Sequence, residues 1–149
     1  MTRAAIVGEL DLDRDTYEAL VAHARRDHPY EVCGLLATDD GRRVVKHYEI
    51  PNAARSMTYY NMDPKAMLHA MHEIDDEGWE LLGIYHSHTH TEAFPSPTDV
   101  ELAFYPDAVY LIVSLQDDEP VVRGFDIRDG KITERVLTVA GEAAPTGPR

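Results

Sequence analysis

The chain has 149 residues, with 14 basic against 27 acidic side chains and a formal net charge of −13. That length points to one domain with its own core, and a 44% hydrophobic content excludes a disordered chain. So acidic a chain repels phosphate backbones and anionic lipid surfaces, and no Lys/Arg run offsets this, so neither nucleic acid nor membrane is expected as a partner. The longest apolar run, 108–113, is too short to cross a bilayer. The first fifteen residues turn acidic before a signal-peptide core could form, so a cytoplasmic protein is expected. The single cysteine, Cys33, excludes an internal disulfide and any CxxC metal site.

In chain order, residues 3–10 read as a short strand. Asp13 or Asp15 can cap the helix that follows, with Glu18 completing a capping box from Asp15. Tyr17, Leu20, Val21 and Ala24 form its apolar face, and His28-Pro29 stops it. Residues 31–38 read as a buried strand starting at Glu31, 39–41 as a turn and 43–50 as a strand. Residues 51–57 read as loop, and 58–61 are β-prone. Asp63-Pro64 opens a second helix with Ala66, Met67, Ala70, Met71 and Ile74 on one face, closed by Gly78. A strand over 80–87 runs into HSHTHTEAFPSPTD, where Pro97 can open a short helix. Residues 108–115 form the clearest core strand, and 121–139 read as a hairpin turning at Asp129-Gly130. Interleaved helices and strands ending in a hairpin predict an α/β (α+β) domain, a mixed sheet flanked by helices, over residues 1–139. Residues 140–149 have the composition of a flexible tail.

His86 and His88 lie two apart at the end of a predicted strand, so both imidazoles point to one side and can hold one metal ion. A carboxylate from the following helix can be the third ligand, leaving a position for water, as catalytic zinc requires. Attack of such a water on a bound carbonyl also needs a second carboxylate that does not bind the metal and acts as base.

The pattern His86-x-His88, seven residues, Ser96-x-x-Asp99, with Glu31 upstream in PYEVCGLLA, resembles the signature of the JAMM (MPN-plus) metallopeptidase family. HARRDHPYEVCGLLA, YHSHTHTEAFPSPTDVELA and PDAVYLIVSL are similar to the Mec type within that family. The resemblance implies a cytidine-deaminase-like fold and a Zn²⁺ cofactor held by His86, His88 and Asp99. It also implies a catalytic pair: Glu31 takes a proton from the attacking water and passes it to the leaving amine, and Ser96 hydrogen-bonds the oxyanion. The implied partner is a ubiquitin-like sulfur-carrier protein ending in Gly-Gly (CysO-, ThiS- or MoaD-like). The implied reaction releases cysteine from that carrier, a step of cysteine biosynthesis. Many members have proline after the second histidine, whereas this chain has Thr89.

Each assignment has a plainer rival. His90 continues the alternation and could complete a three-histidine site, or else face the substrate. Glu31 could simply pair with Arg25 or Arg26, and Ser96 could act only as a helix cap. Tyr59, Tyr60 and Phe94 could bind the carrier tail or belong to the core. Cys33 reads as a buried thiol, and His69 and His72 as a solvated helix face. The acidic run 73–80 reads as a solvated helix end. Other functions compatible with the same residues are an isopeptidase or processing protease for another ubiquitin-like protein, or a non-catalytic MPN scaffold.

Overall fold

The computed structural model describes residues 9–144. Its elements, in order, are β1 (Glu9–Leu12), α1 (Arg14–Asp27), β2 (Cys33–Thr38), β3 (Val44–Ile50), α2 (Pro64–Asp76), β4 (Glu80–His88), α3 (Pro97–Glu101), β5 (Val109–Ser114), β6 (Val121–Arg128), β7 (Lys131–Val139) and β8 (Glu142–Ala143). The strands form one mixed sheet in the order β1-β7-β6-β5-β4-β2-β3, with β8 added to β7. β4 and β5 run parallel, as do β1 and β7, and the other pairs are antiparallel.

Strand alternation divides the core between the two faces of this sheet. Leu36, Tyr85, Leu111 and Val113 join Leu20 and Ala24 of α1 in one apolar cluster. Cys33, Leu35, Ile84 and Ile112 join Ala70 of α2 in the other. β5 lies between both clusters and all six of its residues are buried, which explains its continuous apolar run.

The caps follow local chemistry. Asp13, not Asp15, caps α1: its carboxylate accepts from the Thr16 backbone N–H at 3.0 Å and from the Thr16 hydroxyl at 2.6 Å. The expected Asp15–Glu18 capping box therefore does not form. Asp63 caps α2 by accepting from the Ala66 N–H at 2.9 Å, with Pro64 at the first helical position. The β6–β7 hairpin turns on two residues with positive φ, Asp129 at 51° and Gly130 at 77°, which matches the right-handed twist of its strands.

Three local expectations are corrected. β2 begins at Cys33, so Glu31 precedes the strand; the Glu31 N–H donates to the Ser56 carbonyl rather than to a neighbouring strand. The β-prone 58–61 segment forms no strand, because Asn52 gathers the backbone of that loop through its side chain. The tail does not begin at 140: β8 pairs with β7 and Ala144 is buried in the first cluster, since the turn at Ala140-Gly141 sends the chain back along β7. Residues 3–8 of the first expected strand lie outside the described residues, and so do 145–149.

Candidate active site

β4 runs on past the sheet interior, and its last residues, His86 and His88, present their rings on one side. The chain then crosses over to the parallel strand β5, and α3 lies in that crossover. α3 is only five residues long, so its position depends on its first turn. The Ser96 hydroxyl accepts from the Asp99 N–H at 3.0 Å, and Asp99 Oδ2 accepts from the Ser96 N–H at 2.9 Å. This capping box holds the Asp99 carboxylate at the helix start, facing the histidines.

Three atoms converge there. His86 Nε2 and His88 Nε2 are 3.1 Å apart, and Asp99 Oδ2 lies 3.1 Å from the first and 3.0 Å from the second. All three residues are buried. His88 Nδ1 lies 2.7 Å from the Glu92 carbonyl, which can only accept, so that nitrogen carries the proton. In neutral His88 the Nε2 lone pair then faces an acceptor, Asp99 Oδ2, at hydrogen-bond distance. A cation between them turns this repulsion into coordination. The edges of the triangle are only slightly shorter than the ~3.3 Å expected for ligands about 2.0–2.1 Å from a tetrahedral centre. The donor set therefore fits a divalent metal.

Electrostatics agree with this geometry. Asp99 is desolvated, which alone would favour its neutral form. Hydrogen bonds from the histidines in their protonated form, with the Ser96 N–H, outweigh this and hold its carboxyl well below the usual range. Burial lowers the pKa of His86. Burial also works against charge on His88, but hydrogen bonds to Asp99 and the Glu92 carbonyl raise it.

Glu31 is 4% exposed, and its Oε1 has no hydrogen-bond partner. Burial pushes its carboxyl up to about 7, and the charges of His88 (lowering) and Asp99 (raising) bear on it as well. A carboxyl tuned near neutrality beside a metal triad has the properties of a proton carrier. Its rival role is not observed, since Arg26 pairs with Glu49 at 2.6 Å instead.

The remaining expected residues are distributed as follows. His90 is exposed, outside the triad, and its Nδ1 lies 2.9 Å from the Thr89 hydroxyl, so the three-histidine alternative does not form. Tyr59 is half-exposed on the 51–62 loop. Phe94 is half-exposed too and meets Phe125 edge-on at 5.5 Å. Tyr60 is the aromatic at the metal triad, stacked on the His86 ring at 4.5 Å. Cys33 is buried, hydrogen-bonded to the Ile50 carbonyl at 3.3 Å, and burial pushes its thiol up to about 12. His69 and His72 are exposed on α2, as expected. Glu73, read as part of a solvated run, instead binds Lys46 and Tyr48. Two supports were not anticipated: the Glu92 carbonyl, and Asn52, whose amide donates to the Glu31 carbonyl at 3.0 Å. Backbone acceptors leave no sequence signal, and the only hint at Asn52 is its place after Pro51.

Fold and site together define a JAB/MPN-type hydrolase. Residues 13–128 match the family model described as prokaryotic homologs of the JAB domain, and the chain belongs to that family. Among its relatives, the CysO-cysteine peptidase of Mycobacterium tuberculosis is 43% identical over 141 residues, covering 93% of this chain and 97% of the relative. The desampylase of Haloferax volcanii is 39% identical over 111 residues, 70% of this chain and 80% of the relative. A solution structure of a Desulfitobacterium hafniense protein superposes with a TM-score of 0.78 at 37% identity, covering 89% of this chain and 94% of that one. A JAB1/MPN domain protein from Archaeoglobus fulgidus shares the fold, with a TM-score of 0.57 at 21% identity over 87% of this chain and 97% of its own.

Proposed function

We propose that this protein is a zinc-dependent peptidase that hydrolyses the amide between the C-terminal glycine of a ubiquitin-like sulfur-carrier protein and cysteine. One observation carries the reading: His86, His88 and Asp99 converge on a common point beside the partnerless, buried carboxylate of Glu31. Two imidazoles and one carboxylate suit zinc best among common ions. The similarity to the CysO-cysteine peptidase, which extends over nearly the full length of both chains, supports the substrate. One buried thiol, and no helix among the described residues long and apolar enough to cross a membrane, fit a cytoplasmic setting.

His86, His88 and Asp99 would hold the metal, which would supply Lewis acidity to the attacking water and the scissile carbonyl. Glu31 Oε1 accepts the proton of the attacking water and returns it to the leaving nitrogen, so one carboxyl serves as base and then as acid. The Ser96 hydroxyl uses a lone pair to accept from the Asp99 N–H, which leaves its own proton free for the developing oxyanion. Tyr60, stacked on His86, forms an apolar wall beside the triad.

The deciding substrates are a carrier extended by one cysteine, a carrier bearing a longer tail, and a carrier joined to a lysine side chain. Release of cysteine from the first, followed by mass spectrometry, is the expected result. Cleavage of the lysine conjugate alone would favour the isopeptidase reading, which the 39% identity to a desampylase supports. Glu31→Gln is expected to keep its zinc and lose hydrolysis by at least ~100-fold, whereas Asp99→Ala loses both. Metal content and turnover, measured side by side, check this, and absence of metal even after zinc is supplied would favour a non-catalytic scaffold.

A further inference from the structure

A cavity of about 580 Å³ lies between the end of α1, the start of β2 and the 51–55 loop, and Glu31 lines it. Its charges are unevenly satisfied. Arg26 binds Glu49 at 2.6 Å and approaches Asp27 at 3.4 Å, and His23 lies 3.6 Å from Asp27 and 3.9 Å from Glu49, so the two acids of the cavity wall are already matched. Two groups of opposite sign remain. Among the described residues Arg55 has no acidic partner; its guanidinium lies over the Tyr30 ring, 5.5 Å from the centroid. Glu31 is the other, with its unpartnered Oε1.

Arg55 is also placed at some cost. Its φ is 46°, left-handed for a residue with a Cβ. Its N–H donates to the Asn52 carbonyl at 3.1 Å, and the Asn52 amide donates to the Glu31 carbonyl. One asparagine thus ties the segment carrying Arg55 to the segment carrying Glu31.

We propose that this cavity receives the leaving group as a free amino acid, with Arg55 binding its α-carboxylate while its nitrogen faces Glu31. The inference rests on the cysteine-releasing reading above and adds the residue and cavity that recognise the leaving group. Hydrolysis adds the elements of water across the amide: the oxygen goes to the carrier, released as its carboxylate, and both protons go to the nitrogen of the released residue, one of them by way of Glu31. The product is then a zwitterion, with ammonium at Glu31 and carboxylate at Arg55. A guanidinium presents a planar fork that matches a carboxylate. A lysine ε-amine leaving group has no carboxylate near the scissile bond, and a longer peptide tail has converted it to an amide. Arg55 is therefore the residue that selects a single terminal residue over both.

The test uses a Gly-Gly-ending carrier extended by one cysteine, as the free acid and as the C-terminal carboxamide, with metal-loaded protein. Wild type is expected to favour the acid by about 10–100-fold in kcat/KM. Arg55→Gln removes that preference by lowering only the acid's value, and Arg55→Lys restores part of it. A readout independent of turnover is the affinity of acetyl-Gly-Gly-Cys for metal-free protein, which falls about tenfold in Arg55→Gln, while that of its carboxamide does not change. Equal use of acid and amide by wild type, or equal losses on both in Arg55→Gln, overturns the role of Arg55 and leaves the hydrolase reading standing. Failure of wild type to cleave either substrate overturns the cysteine-releasing reading itself, and this inference falls with it.

Discussion

The Glu92 carbonyl decides which nitrogen of His88 carries the proton, and hence that the other offers its lone pair to a metal. At Glu31 the decisive factor is the lack of any partner for a buried oxygen. Its carboxyl titrates near 7 in the fold against about 4.3 in an unfolded chain. A raised carboxyl pKa means that the native state holds the proton over that interval. Its favourable contribution is complete at the acidic end and is lost as pH rises toward 7 and beyond. Metal-free wild type is therefore expected to lose about 2 kcal/mol relative to metal-free Glu31→Gln between pH 5 and pH 8. Urea unfolding of both proteins at the two pH values measures this, and parallel curves would contradict a buried, unpaired Glu31.

Single elements carry two further expectations. In α3 the capping box both starts the helix and aims Asp99. Ser96→Ala is expected to cost about 1 kcal/mol of stability and to weaken metal binding by about tenfold. If its hydroxyl also serves the oxyanion, kcat at saturating metal falls a further ~100-fold; an unchanged kcat there would leave Ser96 as a cap alone. In β2, Gly34 is the close approach that lets β4 carry a buried tyrosine, Tyr85, on the face that packs against α1. A Cβ on Gly34 would lie 2.1 Å from the Tyr85 ring and 2.3 Å from the Tyr48 carbonyl oxygen. Tyr85 is itself fixed, its hydroxyl lying 2.7 Å from His23 Nδ1 and 2.6 Å from His47 Nε2. Gly34→Ala is expected to destabilise by about 3 kcal/mol or more, read as a lowered thermal midpoint in metal-free protein.

Across the whole molecule, the proposed active site joins segments distant in sequence: the residues before β2, the end of β4 and the start of α3. An ion that binds only the folded arrangement stabilises it by mass action, by about 2.7 kcal/mol at a hundredfold excess over Kd. Addition of zinc is expected to raise the thermal midpoint of wild type and of Glu31→Gln alike, and to leave Asp99→Ala unmoved. A rise in Asp99→Ala equal to that of wild type would place the ion elsewhere, at His23, His47 and Glu49 for example, the other group of ligand atoms close enough to share one.

Sequence by itself determined the parts of this protein that depend on local periodicity and spacing. Two histidines two apart on a strand must share a side, and serine three residues before aspartate at a Pro-marked helix start makes a capping box. The apolar run of β5 reads as core because both of its faces are covered. Other features needed the folded chain. Asp13 prevails over Asp15 as cap because β1 ends just before it. Residues 142–143 pair with β7 although their composition reads as tail, since a sheet edge supplies hydrogen bonds regardless of side chain. His90 continues the alternation in sequence, but β4 has ended at His88, and the turn sends its ring outward. Glu31 could be named as a base from its motif, yet its readiness to hold and release a proton near neutrality comes from burial without a partner. Arg55 carried no signal at all in the sequence. Arg55 and Glu31 line one cavity, and Asn52 binds both segments; long-range placement of that kind depends on the packed backbone rather than on any local pattern.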